Sequence, residues 1–149
     1  GFKTIDNCDT YWDRVTLMAI RGLFNANYPE LAYEILKKYS ENRLLKDHVP
    51  YAVEAYPEGN QAHLAAESAL YARIFLEGIL GLEQLGFDKF MLKISLPNEL
   101  NYININKIRY GKKIFDININ KENDLLRLRI DKLNIDLLVK NNQKIIINV

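Results

Sequence analysis

The second half of this chain alternates apolar and polar residues, and a period of two restricts a chain to extended strands. The pattern is clearest at 115–120, 126–131 and 133–140, where every second residue is apolar. Successive side chains of a strand point to opposite faces, so each segment can bury one face and leave the other in water. We predict six strands in antiparallel hairpins, which form a β-sandwich or a curled sheet against helices, at about 89–95, 102–110, 113–120, 125–131, 134–140 and 144–149.

The first half shows helical periodicity instead. Asp9 or Thr10 can cap a first helix that runs to about Phe24, and Pro29 suits the first turn of a second helix at 29–43. A third helix is predicted at about 63–80, after a loop over 44–62. The first and third helices are apolar on most sides, whereas the second has a single apolar stripe. That alternation of buried and half-exposed helices is typical of concentric rings of helices.

The two halves also differ in charge. Residues 1–86 hold eight basic and twelve acidic side chains, and residues 87–149 hold twelve basic and seven acidic ones. Eleven of the 16 asparagines follow residue 86, in an Ile/Asn/Lys bias that is typical of genome composition rather than of a function. We therefore predict an α+β fold with two domains, helical hairpins over 1–86 and a small, sandwich-like antiparallel β-domain over 87–149.

Composition argues against several functional classes. A net charge of +1 gives no reason to expect nucleic acid, and no apolar run approaches the roughly 18–20 residues of a membrane span. Cys8 is the only cysteine and has no base nearby in sequence, so neither a disulfide within the chain nor a cysteine nucleophile is expected. His48 and His63 lack the spacing of a metal site, and we predict no metal and no cofactor. The chain begins with Gly1 rather than Met, which predicts a piece of a longer protein.

A stretch rich in carboxylates and aromatic rings joins the second and third predicted helices. Aromatic rings can cover the apolar side of a sugar ring, while carboxylates accept hydrogen bonds from hydroxyls or activate water. This composition indicates carbohydrate binding within residues 48–82, which contain Tyr51, Glu54, Tyr56, Glu58, Glu67 and Tyr71.

Three short motifs occur here in order: Tyr11-Trp12-Asp13-Arg14, Ile20-Arg21-Gly22-Leu23 and Glu54-Ala55-Tyr56. They resemble the last hairpins of the (α/α)6-barrel, or six-hairpin, glycoside hydrolases, which include glucoamylases, trehalases and processing α-glucosidases. Residues 66–82, followed by 90–97, are similar to the end of such barrels in Bacteroidetes-type polysaccharide-degrading enzymes, where a small β-domain follows. The resemblance implies that 1–86 form the closing hairpins of a partial barrel.

The resemblance also implies a chemistry. These enzymes invert, with one carboxylic acid that protonates the leaving oxygen and one carboxylate, about 6.5–9.5 Å away, that activates water. It implies that Glu54 is the general base and that the general acid belongs to an earlier hairpin outside this chain. We therefore expect the C-terminal part of an inverting glycoside hydrolase that acts on oligo- or polysaccharide, inactive by itself, from a secreted or periplasmic bacterial parent. Substrate-binding roles are implied for Trp12, Tyr51, Tyr56, Arg14, Glu58 and Glu67.

Two other hypotheses fit the same sequence: a non-catalytic carbohydrate-binding or structural module, and a helical protein–protein interaction piece. Each candidate residue has a structural interpretation as well. Glu54 fits a solvated loop carboxylate, Trp12 fits a core residue, and Glu67 fits a charge that complements a helix N-terminus. The expected partners are carbohydrate and the remainder of a parent enzyme, or a second copy through exposed apolar helix surface, with neither nucleic acid nor membrane.

Overall fold

The chain divides into two compact units. The computed structural model describes residues 1–3, 6, 9–45, 51–56 and 65–149, and these fall into the units Gly1–Ile79 and Leu80–Val149. The boundary predicted after residue 86 lies inside the second unit. No helix within these described ranges is both long and apolar enough to cross a membrane.

Helices in the N-terminal unit pack around its first helix. Helix α1 is Asp13–Asn25, α2 is Pro29–Arg43, and α3 is Ala65–Arg73, which continues into a π-helical segment, Ile74–Ile79. Helix α1 buries Leu17, Ile20 and Phe24, whose spacing places them on one face. It contacts α2, α3 and the π-helical segment, so its apolar face is covered from several sides.

A small sheet completes this unit. Strands β1 (Phe2–Lys3), β2 (Tyr11–Trp12) and β3 (Ala55–Tyr56) form an antiparallel sheet in the order β1-β2-β3. Tyr11 pairs with Tyr56 and Trp12 pairs with Ala55, and all three strands contact α1. This sheet ties the segment before α1 to the segment that follows α2.

The C-terminal unit consists of two antiparallel sheets. Its seven strands, all in the fully described segment 80–149, are β4 (Glu83–Gln84), β5 (Lys89–Lys93), β6 (Tyr102–Tyr110), β7 (Lys113–Glu122), β8 (Leu125–Ile130), β9 (Ile135–Val139) and β10 (Lys144–Asn148). One sheet has the order β10-β5-β4, and the other is a meander, β6-β7-β8-β9. Each of the six strands predicted from period-two alternation overlaps one of these strands.

Aromatic rings join the two sheets of the C-terminal unit. The rings of Phe90 on β5 and Phe115 on β7 stack with centroids 5.7 Å apart, and Tyr110 packs against Phe90 at 5.1 Å. Leu92, Ile117, Ile119, Leu128 and Ile130 are fully buried in the same unit. The alternation of the sequence therefore gives a sandwich-like unit with its apolar residues inside.

Asparagine supplies the left-handed backbone at three turns of the C-terminal unit. Asn123, Asn134 and Asn142 have φ values of 55°, 54° and 64°, and each lies between two strands of the C-terminal unit. Asparagine tolerates this conformation better than most other residues with a side chain. Part of the asparagine bias is therefore structural, and composition alone does not account for it.

The predicted fold class is wrong. Residues 1–86 do not form hairpins of a partial (α/α)6 barrel: the described part of the chain has three short helices and ten strands in three antiparallel sheets. A strand of two residues leaves no alternation to detect, so β1, β2 and β3 could not be recognised from periodicity. The apolar surface of the first helix, which suggested a ring, is covered by helices of its own unit and by this sheet.

Candidate functional site

The candidate site residues of the N-terminal unit lie on different surfaces. Trp12 and Tyr56 are on neighbouring strands, but they are offset by one residue in the pairing, so they project to opposite faces of the sheet. Glu54 is half-buried just before β3, and its backbone carbonyl accepts a hydrogen bond from the Asp13 amide at 3.1 Å. Tyr51 is exposed. Glu58 lies outside the described residues.

Tyr56 contacts a cation of its own chain. The guanidinium carbon of Arg43 lies 4.4 Å from the centroid of the Tyr56 ring. Tyr56 is nevertheless 47% exposed. A cation over an aromatic face contributes about 0.5–2 kcal/mol. One face of this ring is therefore already occupied, and a sugar would have to use the other.

The structure pairs two of the candidate residues with each other. Arg14 Nε donates to Glu67 Oε1 at 2.8 Å, and a terminal nitrogen of Arg14 lies 2.6 Å from the same oxygen. Glu67 is fully buried, whereas about half of the Arg14 side chain is exposed. Within the described residues Glu67 Oε2 has no hydrogen-bond partner. This pair joins α1 to α3, a contact between residues 53 positions apart that the sequence did not suggest.

Asp13 is the centre of a second polar cluster, which sequence reasoning did not select. Its carboxylate accepts hydrogen bonds from the Tyr39 hydroxyl at 2.8 Å, from Arg43 at 3.2 Å and from the Val53 amide at 3.3 Å. Burial raises the pKa of Tyr39 above its ordinary value, and the negative charge of Asp13 raises it further. The cluster links α1, α2 and the segment before β3, so it fixes the position of Glu54 as well.

The C-terminal unit carries a polar concavity on the outer face of the meander sheet. Its volume is about 460 Å3, and it is open to solvent on one side. We call it the polar sheet face. The residues that line it are Asn104, Asn118, Asn120, Arg129, Asp131 and Asp136.

Strand register brings these side chains together. Asn104 on β6 pairs with Asn118 on β7, Asn118 pairs with Arg129 on β8, and Arg129 pairs with Asp136 on β9. Directly paired residues share a face with about 4.5–5.5 Å between Cβ atoms, so the four form one row across the sheet. Asn120 lies two residues further along β7 on the same face.

A second row lies beside the first. Tyr102 pairs with Asn120, Asn120 with Arg127, and Arg127 with Leu138. Tyr102 is on the outer strand β6 and is 62% exposed, which leaves an aromatic ring next to the asparagine amides. The face therefore combines planar amides, charged groups and one exposed ring.

Ion pairs hold one side of the polar sheet face in place. Arg127 donates two hydrogen bonds to the two carboxylate oxygens of Asp136, at 2.8 and 2.9 Å, and Arg129 Nε donates to Asp136 at 3.3 Å. The hydrogen bond from Arg127 holds the pKa of Asp136 below its usual range, and the charge of Arg129 acts in the same direction. Asp136 is therefore ionised and oriented before any ligand arrives.

Sequence reasoning missed this face, although a signal was present. The alternation places Asn104, Asn118 and Asn120 at the polar positions of strands. A strand face that is only exposed to solvent could carry other polar residues, such as Lys or Thr, at these positions. Register, which sequence alone does not give, was needed to show that these positions are neighbours.

Comparisons with known proteins do not indicate a function for this chain, so a functional hypothesis depends on the geometry of the site. No protein-family model, no curated protein and no solved structure matches the chain. The resemblance to six-hairpin glycosidases therefore stays a prediction. Among the described residues there is also no group of three or more acidic, histidine or cysteine side chains that could hold a metal ion.

Proposed function

We propose that this chain is a non-catalytic carbohydrate-binding module whose ligand occupies the polar sheet face. The observation that carries the proposal is the cluster of three asparagine amides, Asn104, Asn118 and Asn120, in one open concavity beside the exposed ring of Tyr102. The fold places these groups on adjacent strands, and a site on strands is held more rigidly than a site on loops.

Asparagine suits a sugar because its amide both donates and accepts. The side-chain oxygen accepts from one hydroxyl while the nitrogen donates to another, and neighbouring hydroxyls of a sugar offer that same combination. Tyr102 can lie against the apolar face of the ring and still leave its hydroxyl in water. The C-terminal unit is fully described, and no lysine lines its concavity. The absence of lysine disfavours a nucleic-acid backbone as the ligand.

Binding to a panel of polysaccharides and oligosaccharides, measured by isothermal titration calorimetry, tests the proposal. Loss of about two hydrogen bonds in Asn118→Ala should lower the affinity about tenfold, because each contributes about 0.5–1.5 kcal/mol net. Asn148→Ala is the matched control, since Asn148 is an exposed strand asparagine in the other sheet. Failure of the unchanged protein to bind any sugar, or equal weakening by both substitutions, would refute the proposal.

Hydrolysis by a parent enzyme is a second candidate. It is favoured by one observation: Glu54 is a half-buried residue whose backbone carbonyl accepts a hydrogen bond from the amide of Asp13, the residue after Trp12. This candidate does not include a partial barrel, which the fold excludes, and it needs a general acid from elsewhere. In a longer protein that contains this chain, Glu54→Gln should abolish turnover, whereas Glu41→Gln, at an exposed position on α2, should not. Retained turnover in Glu54→Gln would remove Glu54 as the base.

A further inference from the structure

We infer that the polar sheet face selects neutral saccharides over anionic ones, and that Asp131 makes the selection. The inference rests on the proposed carbohydrate-binding function and adds the chemical class of the ligand. Its basis is the balance of charge in the concavity and the position of one carboxylate without a partner.

The concavity carries more negative than positive charge. Its lining contains one cation, Arg129, and two carboxylates, Asp131 and Asp136. Arg127 lies beside the lining, but it is engaged by both oxygens of Asp136, and Glu122 lies 3.5 Å from its guanidinium. Whether the lining is counted alone or together with Arg127 and Glu122, the formal charge is −1.

Asp131 is the source of the excess. It follows β8 in a short 3-10 helix, Asp131–Leu133, and is exposed. Within the fully described segment 80–149, the ion pairs beside the concavity join Arg127 and Arg129 to Asp136 and Glu122, and none of them includes the Asp131 side chain. Because the arginines bond Asp136 and not Asp131, Asp131 repels an incoming anion.

Arg129 does not reverse this balance. Its Nε donates to Asp136, so part of its charge is opposed within the protein. The remaining nitrogens can donate to the uncharged oxygens of a sugar, as can the amides of Asn104 and Asn118 on the same row. A carboxylate or sulfate that reached Arg129 would lie among two acidic side chains, whereas a hydroxyl carries no such penalty.

The test compares matched neutral and acidic sugars. Hexasaccharides of glucose, mannose and galactose, and their counterparts with carboxylates at C6, are titrated against the 149-residue chain at low and at physiological salt. We expect the neutral sugar that binds most tightly to exceed its acidic counterpart by about tenfold in affinity at low salt. Salt should narrow the difference in affinity, since mobile ions weaken the repulsion between solvent-exposed charges.

Two substitutions then assign the selection to one residue. Asp131→Asn should narrow the difference in affinity between the neutral and the acidic sugar, and Asp131→Lys should narrow that difference further or reverse it. Asp124→Asn, which removes an exposed carboxylate from the β7–β8 turn outside the lining, should leave the difference unchanged. Thermal unfolding of all variants, followed by circular dichroism, verifies that each is folded.

Each outcome has a distinct meaning. Neutral and acidic sugars that bind equally well, or a preference that Asp131→Asn and Asp131→Lys leave intact, would overturn the inference while the carbohydrate-binding function stands. Preferential binding of the acidic sugar would overturn it as well. If no sugar of either class binds, the proposed function fails, and the inference fails with it.

Discussion

Replacement of Asp13 by asparagine should destabilise the N-terminal unit by about 3–5 kcal/mol. Asp13 is 3% exposed and Arg43 is 8% exposed, so neither charge is solvated to a useful extent. Asparagine has nearly the same shape and keeps an oxygen for the Tyr39 hydroxyl, so the substitution removes mainly the negative charge. A loss of this size is a large fraction of the roughly 5–15 kcal/mol that stabilises an ordinary domain.

The magnitude follows from what would remain around Arg43. Its Nε and one terminal nitrogen already lack hydrogen-bond partners among the described residues, and the other terminal nitrogen donates to Asp13. After the substitution the negative charge is gone, and Arg43 keeps only the neutral asparagine oxygen as an acceptor and the face of the Tyr56 ring at 4.4 Å, which contributes about 0.5–2 kcal/mol. That is less than the cost of a buried and unpaired guanidinium, so the net effect is destabilising.

Trp12 provides the assay. It is the only tryptophan of the chain, it precedes Asp13 directly, and it lies in β2, so its fluorescence reports the N-terminal unit. Urea unfolding is compared for the unchanged protein, Asp13→Asn, Arg43→Met and the double variant. The double variant should be more stable than Asp13→Asn, because removal of both charges leaves no buried ion without a partner.

Two results would refute this reasoning. A loss below about 1 kcal/mol in Asp13→Asn would place the pair in the range of solvated surface ion pairs. A double variant no more stable than Asp13→Asn would show that the two charges do not depend on each other. Either result would mean that this cluster does not hold α1 to α2.

Three further predictions concern the C-terminal unit. Gly81→Ala should lower the free energy of unfolding by at least about 1–2 kcal/mol, because Gly81 has φ 57° and a methyl group there would overlap a backbone carbonyl of β5. The midpoint of thermal unfolding should fall accordingly, and an unchanged midpoint would contradict this. Asn141→Ala should cost about 1–3 kcal/mol in urea unfolding, because the Asn141 amide makes two 2.9 Å hydrogen bonds to the Leu96 backbone; an effect below about 0.3 kcal/mol would show that water replaces them. The lowered pKa of Asp136 predicts that its stabilising ion pair with Arg127 is complete above the ordinary carboxyl pKa of about 3.9 and is lost as the pH falls through the lowered value. An NMR titration of the Asp136 carboxyl carbon with a midpoint at or above the ordinary value would be inconsistent with this.

Local periodicity predicted where the elements lie, but little of how they pair. Strand β7 could be located because Phe115, Ile117 and Ile119 alternate with polar residues, and α2 could be located from Pro29 and one apolar stripe. Strand β3 could not, because it has two residues and its partner β2 precedes two helices.

The candidate site shows the same division. Composition indicated tyrosines and carboxylates that suit a sugar, and the chain does contain them. The structure, however, packs Tyr56 against Arg43 and buries Glu67 beneath Arg14, and these contacts join residues distant in sequence. The sequence alone shows the asparagines of the meander sheet only as a bias in composition, because register is needed to show that Asn104 and Asn118 are neighbours.

The sequence by itself determined the alternation that places Phe115, Ile117 and Ile119 inside and Asn118 and Asn120 outside, since that follows from the period of a strand. The tertiary structure decided which strands are adjacent and in which register, and therefore which polar groups meet. The physical reason is that alternation is a local property, whereas pairing depends on the closure of loops and on the burial of both sheets at once. The polar sheet face therefore depends on strand pairing and register, which the tertiary structure decides.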